Sequence, residues 1–360
     1  MTTVSVIGAG PAGAYAGQLL AKAGYDVTIY EEHAAVGKPV ACTGIVTKVL
    51  WELVRKKKEF MVNELDAVRI VAPNNNHVDI PLHEYVIDRA AFDNCLAAQA
   101  INAGAALQTL HRFIDAKNGA ITFKHKGETI TKKTDIVIGA DGPTSNVAKS
   151  AGIYGSREFW IGLQVTVKKK WNPNIFLTYF GGICPGFFAW AVPENSQIAR
   201  VGLAAQQQAK AHFDRFLLKL GGKILEQQPG PIPKFTGREL VEKDNVFLVG
   251  DAGGLVKATT GGGIITGILS SKILSECLQT GASYSKALWQ LKKELHIHRL
   301  IRKTLNNFSE QDYNMLIDYM NTPGVKKILK ENPREYPSRF LLKLLLKQPK
   351  FIRFAPRILW

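Results

Sequence analysis

The sequence predicts an α/β protein, α+β overall, in which a parallel-sheet domain is interleaved with a second, antiparallel sheet and followed by a helical C-terminal region. Three observations carry this. A short β-branched run at 4–7 leads into a helical stretch at 11–24, and a second strand through Val27 and Ile29 ends at Glu31, which makes one βαβ unit. Further apolar strands of the buried parallel type stand near Ile136 and Phe247, separated by segments that read as hairpins. Beyond Ser283 the chain reads as helix. The parallel domain is therefore Rossmann-like and discontinuous, formed from residues 1–65, 86–150 and 240–280. Residues 66–85 and 151–239 form the inserted sheet domain, and 281–360 the helical region.

The remaining elements follow in order. Segments 69–72 and 78–80, separated by the Asn-rich turn 74–76, predict a hairpin. Residues 88–103 read as a helix with Asp88 as N-cap. Segments 120–125 and 128–132 predict a second hairpin turned at Gly127, and 135–139 a buried strand. Residues 159–167, 175–180, 187–192 and 198–204 read as strands of the inserted sheet. A strand at 245–249 precedes Gly-rich sequence and a helix to about Leu278. There is no internal repeat and no low-complexity tract.

Composition excludes several classes. With 46% apolar and 21% charged residues the 360-residue chain is an ordinary globular protein, not a disordered one. Four cysteines (Cys42, Cys95, Cys184 and Cys277) lie far apart without a Cys-x-x-Cys pair, which excludes a disulfide scaffold or zinc ribbon and points to a reducing compartment. The 46 Lys+Arg against 30 Asp+Glu give a formal charge of +16, which admits a nucleic acid or an anionic membrane surface as partner. Its distribution favours the membrane. Arg339, Lys343, Lys347, Lys350, Arg353 and Arg357 occur between Ser338 and Trp360 with no acid among them. The first three recur at helical spacing beside Phe340, Leu341, Leu344 and Leu345, as in a basic amphipathic surface segment. The plainer reading is a helix packed on the body with snorkelling lysines. No nucleic-acid motif is present, so no nucleic-acid partner is expected. No apolar run reaches the roughly 18 residues that span a bilayer, and no leader pattern precedes the first strand. The expectation is a monomeric, cytoplasmic protein peripherally associated with membrane. His296 and His298, two apart on a helix, cannot share one metal face and read as surface or lipid-proximal residues, and no metal is expected.

The chemistry begins at Gly8-Ala9-Gly10-Pro11-Ala12-Gly13, between a strand and a helix. Gly8 permits the tight turn, Gly10 lets the backbone approach a pyrophosphate, and Gly13 allows close helix–strand packing. The helix N-terminus offers N–H groups and positive dipole to the phosphates, and Glu31 is placed to accept from a ribose diol. An adenosine end alone does not separate FAD from NAD(P). Two further motifs resemble those of flavoprotein hydroxylase-type enzymes: Asp135-Ile-Val-Ile-Gly-Ala-Asp141-Gly142-Pro143, and Val249-Gly250-Asp251-Ala252-Gly253. An aspartate that follows a buried strand and precedes a Gly-rich helix entry can accept sugar hydroxyls, although each one alone is more often a turn residue or N-cap. Three motifs in this order imply FAD and the hydroxylase-type arrangement of the fold.

Within that superfamily the chain resembles the geranylgeranyl reductase family, most of all its archaeal digeranylgeranylglycerophospholipid reductases. Pro39-Val40-Ala41-Cys42-Thr43-Gly44 resembles the family's cysteine-and-glycine loop, Arg89-Ala-Ala-Phe92-Asp93 its RxxFD helix start, and Pro185-Gly-Phe187-Phe188-Ala-Trp190-Ala-Val192-Pro193 its PxxYxWxFP strand, followed by Val201-Gly202-Leu203. Phe188 stands where the family has Tyr, and Val192 where it has Phe; both keep the wall apolar. The resemblance spans residues 4–278. It implies flavin contacts from Gly8, Gly10, Ala12, Gly13, Glu31, Cys42, Thr43, Gly44, Arg89, the backbone of Phe113, Asp141, Asp251, Gly263 and Ile264. It also implies catalytic roles for Cys42, Trp190 and Phe188. By residue type alone Cys42 reads as a packed small hydrophobe; the resemblance makes it a flavin contact, proton source or redox thiol. Gly261-Gly262-Gly263 reads either as a flexible loop or as backbone N–H groups brought to the flavin.

The implied reaction is hydride transfer from reduced flavin N5 to an isolated alkene carbon of a geranylgeranyl chain, in a membrane lipid or its precursor with an anionic head. Such an alkene has no carbonyl to polarise it, so positioning and a dry channel dominate. Without iron–sulfur ligands or a second GxGxxG, electrons come from an external ferredoxin or NAD(P)H. The alternative on the same scaffold is a flavin-dependent monooxygenase of the aromatic hydroxylase type. From another class, a non-catalytic lipid carrier would retain FAD structurally.

Overall fold

The first strand, Thr3–Ile7, pairs in parallel with Asp26–Tyr30 on one side and Ile136–Gly139 on the other. These β-branched runs are largely buried on both faces, as in a covered parallel sheet. In the computed structural model, which describes residues 1–358, they form the centre of a six-stranded sheet. Its order is Glu242–Lys243, Val246–Leu248, Ile136–Gly139, Thr3–Ile7, Asp26–Tyr30 and Ala106–Gln108, with only the first pair antiparallel. The sheet belongs to a unit made of residues 1–40, 89–158 and 233–296. The helices Pro11–Lys22 and Ile264–Thr280 meet here through small residues: a Cβ on Gly267 would lie 3.3 Å from both Ala12 Cβ and Gly250 Cα, and Ser271 Oγ donates to Ala12 O at 2.8 Å. A three-stranded sheet, His111–Lys117, Ala120–His125 and Glu128–Lys133, packs its aromatic face into the same core. Tyr30 stacks on Phe123 at 4.3 Å, and Phe113 is buried beside them.

The second unit comprises residues 41–88, 159–232 and 297 onward. Its nine-stranded sheet runs Lys223–Gln227, Phe159–Lys168, Ile198–Ala205, Ala189–Pro193, Ile175–Tyr179, Met61–Val71, His77–Ile87 and Ile45–Thr47, with Gly230–Pro233 on Phe159–Lys168. Ile175–Tyr179 and Met61–Val71 run parallel, so the sheet is mixed. Residues 41–65 lie with this sheet because Ile45–Thr47 and Met61–Val71 both pair with His77–Ile87. That pairing extends the short hairpin read at 69–80 to two strands of 11 residues each, through a polar stretch (Asn63, Glu64, Asp66) whose apolar alternation is too weak to read as strand.

The C-terminal part is helical, with two corrections. Arg339 ends a separate turn, Pro337–Arg339, where it stacks 4.1 Å over Tyr336, so the basic stripe continues only on Leu341–Lys347. His298 is 2% exposed, because it falls with Leu291, Leu295 and Arg302 on the buried face of Trp289–Asn306. Trp360 lies outside the described residues. The last turns, Pro349–Ile358, are tied back by Arg357 Nη2, 2.8 Å from Asp312 Oδ2, and Asp312 also accepts from the N–H and hydroxyl of Ser309 at 2.9 and 2.8 Å. Burial alone would raise the Asp312 carboxyl; Ser309 and Arg357 outweigh it and hold the group below the ordinary carboxylate range. The native state therefore binds fewer protons here than the unfolded chain. The stabilisation is complete above about pH 4 and lost as pH falls through the folded value. Asp312→Asn is expected to flatten the acid limb of a Tm-against-pH curve, while an unchanged limb would exclude this carboxylate as its source.

Candidate functional site

In the first unit the glycine turn is fixed by contact. A Cβ on Gly8 (φ 102°) would lie 2.4 Å from Ala140 O, and one on Gly13 would lie 2.0 Å from Gly8 O. A Cβ on Gly10 would meet nothing within 4 Å, so the backbone there faces open space. Pro11–Lys22 begins on Gly10 with no side-chain cap and no acid in its first turn, leaving its N–H groups and dipole available to an anion. Glu31, at the end of the second strand, accepts from Ala9 N–H at 2.9 Å through Oε2, while Oε1 holds His33 N and Nδ1 at 3.0 and 2.7 Å.

The two aspartates behave differently. Asp141 accepts from Ser145 Oγ (2.6 Å) and from the N–H groups of Asn146 (2.7 Å) and Val147 (3.0 Å), so in this structure its carboxylate caps the short helix Asn146–Ser150. Asp251 sits against Gly263: a Cβ there would lie 2.2 Å from Asp251 Oδ1, so only glycine fits. Desolvation raises the Asp251 carboxyl, against the opposing charges of Arg89 and Arg157. Gly263 is also the uncapped N-terminus of Ile264–Thr280, with Ile264 its first residue. Arg89 is held bidentate by Asp93 at 3.0 and 2.8 Å. Phe113 contributes its side chain to the core and its backbone to the pairing with Phe123. Two uncapped glycine-led helix starts, an open Gly10 backbone and the carboxylates of Glu31 and Asp251 are the donor and acceptor set that a dinucleotide's pyrophosphate and sugars require.

In the second unit the Cys42 loop is fastened residue by residue. Gly44 N–H donates to Cys42 Sγ at 3.3 Å, and Gly44 O accepts from Ile87 N–H at 2.9 Å. Arg200 Nη1 donates to Thr43 O at 2.8 Å and Ile87 O at 3.0 Å, while its Nε pairs with Glu194 at 2.6 Å. A Cβ on Gly44 would lie 2.7 Å from that guanidinium nitrogen. Cys42 is half-buried, whereas Cys95, Cys184 and Cys277 are buried. Trp190 and Phe188 join an aromatic wall: Phe188 lies 5.7 Å from Trp190 and stacks on Phe187 at 4.5 Å. The Arg302 guanidinium lies 4.7 Å over Phe187. Burial lowers Arg302 to about 10, which leaves it charged at neutral pH.

Sequence reasoning missed three residues, Arg157, Gln164 and Arg200. Arg157 joins the two aspartate loops, donating to Pro143 O at 3.3 Å and Asp251 O at 3.2 Å, and to Ala252 O. Gln164, Arg200 and Gly202 surround the cysteine loop and Trp190. The readable sign was a polar residue, Gln164 or Arg200, at an inward position of an otherwise apolar strand.

Comparisons place this geometry. The NAD(P)-binding Rossmann-like domain family matches residues 6–42. The digeranylgeranylglycerophospholipid reductase 2 of Methanosphaera stadtmanae is 30% identical, over 79% of this chain and 80% of that protein. This chain belongs to the digeranylgeranylglycerophospholipid reductase family. The reductase of Methanoculleus marisnigri, at 28% identity, covers 97% of this chain and 96% of its own. A geranylgeranyl bacteriochlorophyll reductase-like protein of Thermoplasma acidophilum has the same fold, with a TM-score of 0.84 at 23% identity, covering 99% of this chain and 100% of that one. For this member of the reductase family the dinucleotide is FAD, and the first unit's donor set fits it. Two glycine variants separate fit from folding. Gly10→Ala is expected to leave the unfolding midpoint unchanged and to weaken FAD binding by about tenfold or more, since the new methyl enters the space open to the pyrophosphate. Gly263→Ala, which collides with Asp251, is expected to weaken both. Flavin-fluorescence titration alongside urea unfolding reads the contrast, and undiminished FAD affinity in Gly10→Ala would move the pyrophosphate elsewhere.

Proposed function

We propose that this protein is an FAD-dependent reductase that saturates C=C bonds of geranylgeranyl chains in membrane lipids or their precursors. The observation that carries this reading is the aromatic wall of Phe187, Phe188 and Trp190, together with a half-buried thiol on a loop whose polar groups are held by the large sheet. Membership of the reductase family supports the substrate class. When bound and reduced by an external ferredoxin or NAD(P)H, FAD would supply the hydride. The chain supplies the rest. Phe188 and Trp190 give the isoprenoid an apolar face that excludes water, and Trp190's one polar atom, Nε1, is consumed by Gln164 at 3.0 Å. Cys42 Sγ–H donates the proton to the second alkene carbon and regains it from solvent. Cys42, Thr43 and Gly44 are also assigned flavin contacts, as are Gly8, Gly10, Ala12, Gly13, Glu31, Arg89, the Phe113 backbone, Asp141, Asp251, Gly263 and Ile264.

An anionic bilayer surface is assigned as the place where this lipid is met. Leu342, Leu346 and Ile352 are 67%, 74% and 65% exposed, beside exposed Lys343, Lys347, Lys350 and Arg353. No helix among the described residues is long and apolar enough to cross a membrane. Binding to phosphatidylglycerol vesicles in co-sedimentation is expected to exceed that to phosphatidylcholine vesicles, to weaken in high salt, and to fall several-fold in Leu346→Glu. Equal binding to both vesicle types would remove the assignment.

The reaction itself is tested anaerobically, by dithionite reduction of the holoenzyme followed by addition of geranylgeranyl lipid. Reoxidation of the flavin, with a product heavier by two hydrogens per double bond, is expected. A flavin that stays reduced with lipid but reacts with O₂ and hydroxylates an aromatic would establish the monooxygenase instead.

A further inference from the structure

Resting on the reading that Cys42 and Trp190 serve the reduction, we propose that Gln164 is a positioning residue that sets the cysteine loop and the tryptophan relative to each other. Gln164, Gly202 and Trp190 are in register across three adjacent strands, Phe159–Lys168, Ile198–Ala205 and Ala189–Pro193. Gly202 bears no side chain, and the indole uses that room: a Cβ there would lie 2.6 Å from Trp190 Cζ2 and 2.7 Å from Cε2. The indole N–H thereby reaches across to Gln164 Oε1 at 3.0 Å. The same oxygen accepts from Thr43 Oγ1 at 2.7 Å, and Gln164 Nε2 donates to Cys42 O at 3.3 Å and Gln228 Oε1 at 2.7 Å.

Gln164 is 5% exposed, and both ends of its amide are used. Of its four partners, three are Trp190, the Thr43 hydroxyl and the carbonyl of Cys42, so one planar group fixes the indole against the Cys42 carbonyl and the Thr43 side chain. Arg200 holds the carbonyl of Thr43, and Gly44 N–H holds the thiol itself. A displacement of Gln164 is thus passed to the thiol and to the indole together. Gln164 touches neither thiol nor substrate in this scheme; it acts through Cys42 and Trp190.

Two substitutions divide its bonds. Gln164→Met keeps length and apolar volume and loses every bond. Gln164→Glu keeps the acceptors for Thr43 and Trp190 and loses the donors to Cys42 O and Gln228 Oε1. In the holoenzyme, Gln164→Met is expected to lower kcat about 10- to 100-fold with KM within about threefold, the range associated with misplacing reacting groups by about 1 Å. The rate of Cys42 alkylation by iodoacetamide, read by peptide mass, is expected to change at least about fivefold, and Gln164→Glu to recover most of both. Wild-type kcat and alkylation rate in folded Gln164→Met would overturn the proposal. Equal losses in both variants that track a lowered Tm would reduce Gln164 to a structural role, and would overturn it too. Cys42→Ala and Trp190→Phe test the underlying reading separately. If both keep wild-type kcat while Gln164→Met still changes alkylation, the catalytic assignment fails and the coupling of loop to sheet stands.

Discussion

The backbone of Gly8 touches that of Ala140, and the dinucleotide half of this protein is arranged around that contact. The parallel register that sets Ile7 opposite Gly139 carries both chains past the end of the sheet together, and Ala140 N–H closes on Ile7 O at 2.8 Å. Val249 N–H then donates to Gly139 O at 3.0 Å, bringing a third strand end alongside. Three loops with the glycine turn, Asp141 and Asp251 therefore emerge from the carboxyl ends of three neighbouring parallel strands, where open α/β sheets bind ligands. A side chain at Gly8 would push the first of these loops away from the second.

The helix starts of the first unit and the cysteine loop of the second meet their polar requirements in opposite ways. The first leaves helix N–H groups uncapped at Gly10 and Gly263, a free energy deficit that a bound anion removes. Around the cysteine loop, the second pairs its buried polar side chains internally. Gln164 uses both ends of its amide, and Arg200 is shared between Glu194 and two carbonyls. An apolar substrate wall needs that saturation, because an unpaired amide beside an alkene would draw in water.

What was legible in the sequence follows from how local each cause is. The glycine turn is legible because close backbone approach permits only one residue type, at fixed spacing. The strands near Ile136 and Phe247 are legible because burial on both faces demands unbroken apolar runs. Residues 41–65 were read with the nucleotide domain because their pairing with 77–87 is a register between segments, which composition does not encode. Gln164 shows its buried polarity in the sequence, but its partners at Cys42, Thr43 and Trp190 lie up to 122 residues away. Asp141 illustrates the reverse case, in which two readings share one pattern: Asp and Ser four apart serve a cap as well as a sugar site.

The discontinuity of the first unit has a consequence for synthesis. Thr3–Ile7 is made well before Ile136–Gly139 and Val246–Leu248, which continue its sheet but follow it by more than a hundred residues. Until the later strands leave the ribosome, the β-branched face of Thr3–Ile7 has only Asp26–Tyr30 beside it. Such long-range parallel pairing folds slowly and exposes an unpaired edge while it waits. The glycine turn after Thr3–Ile7 is thus translated long before the unit around it is finished, which happens only when the third loop arrives.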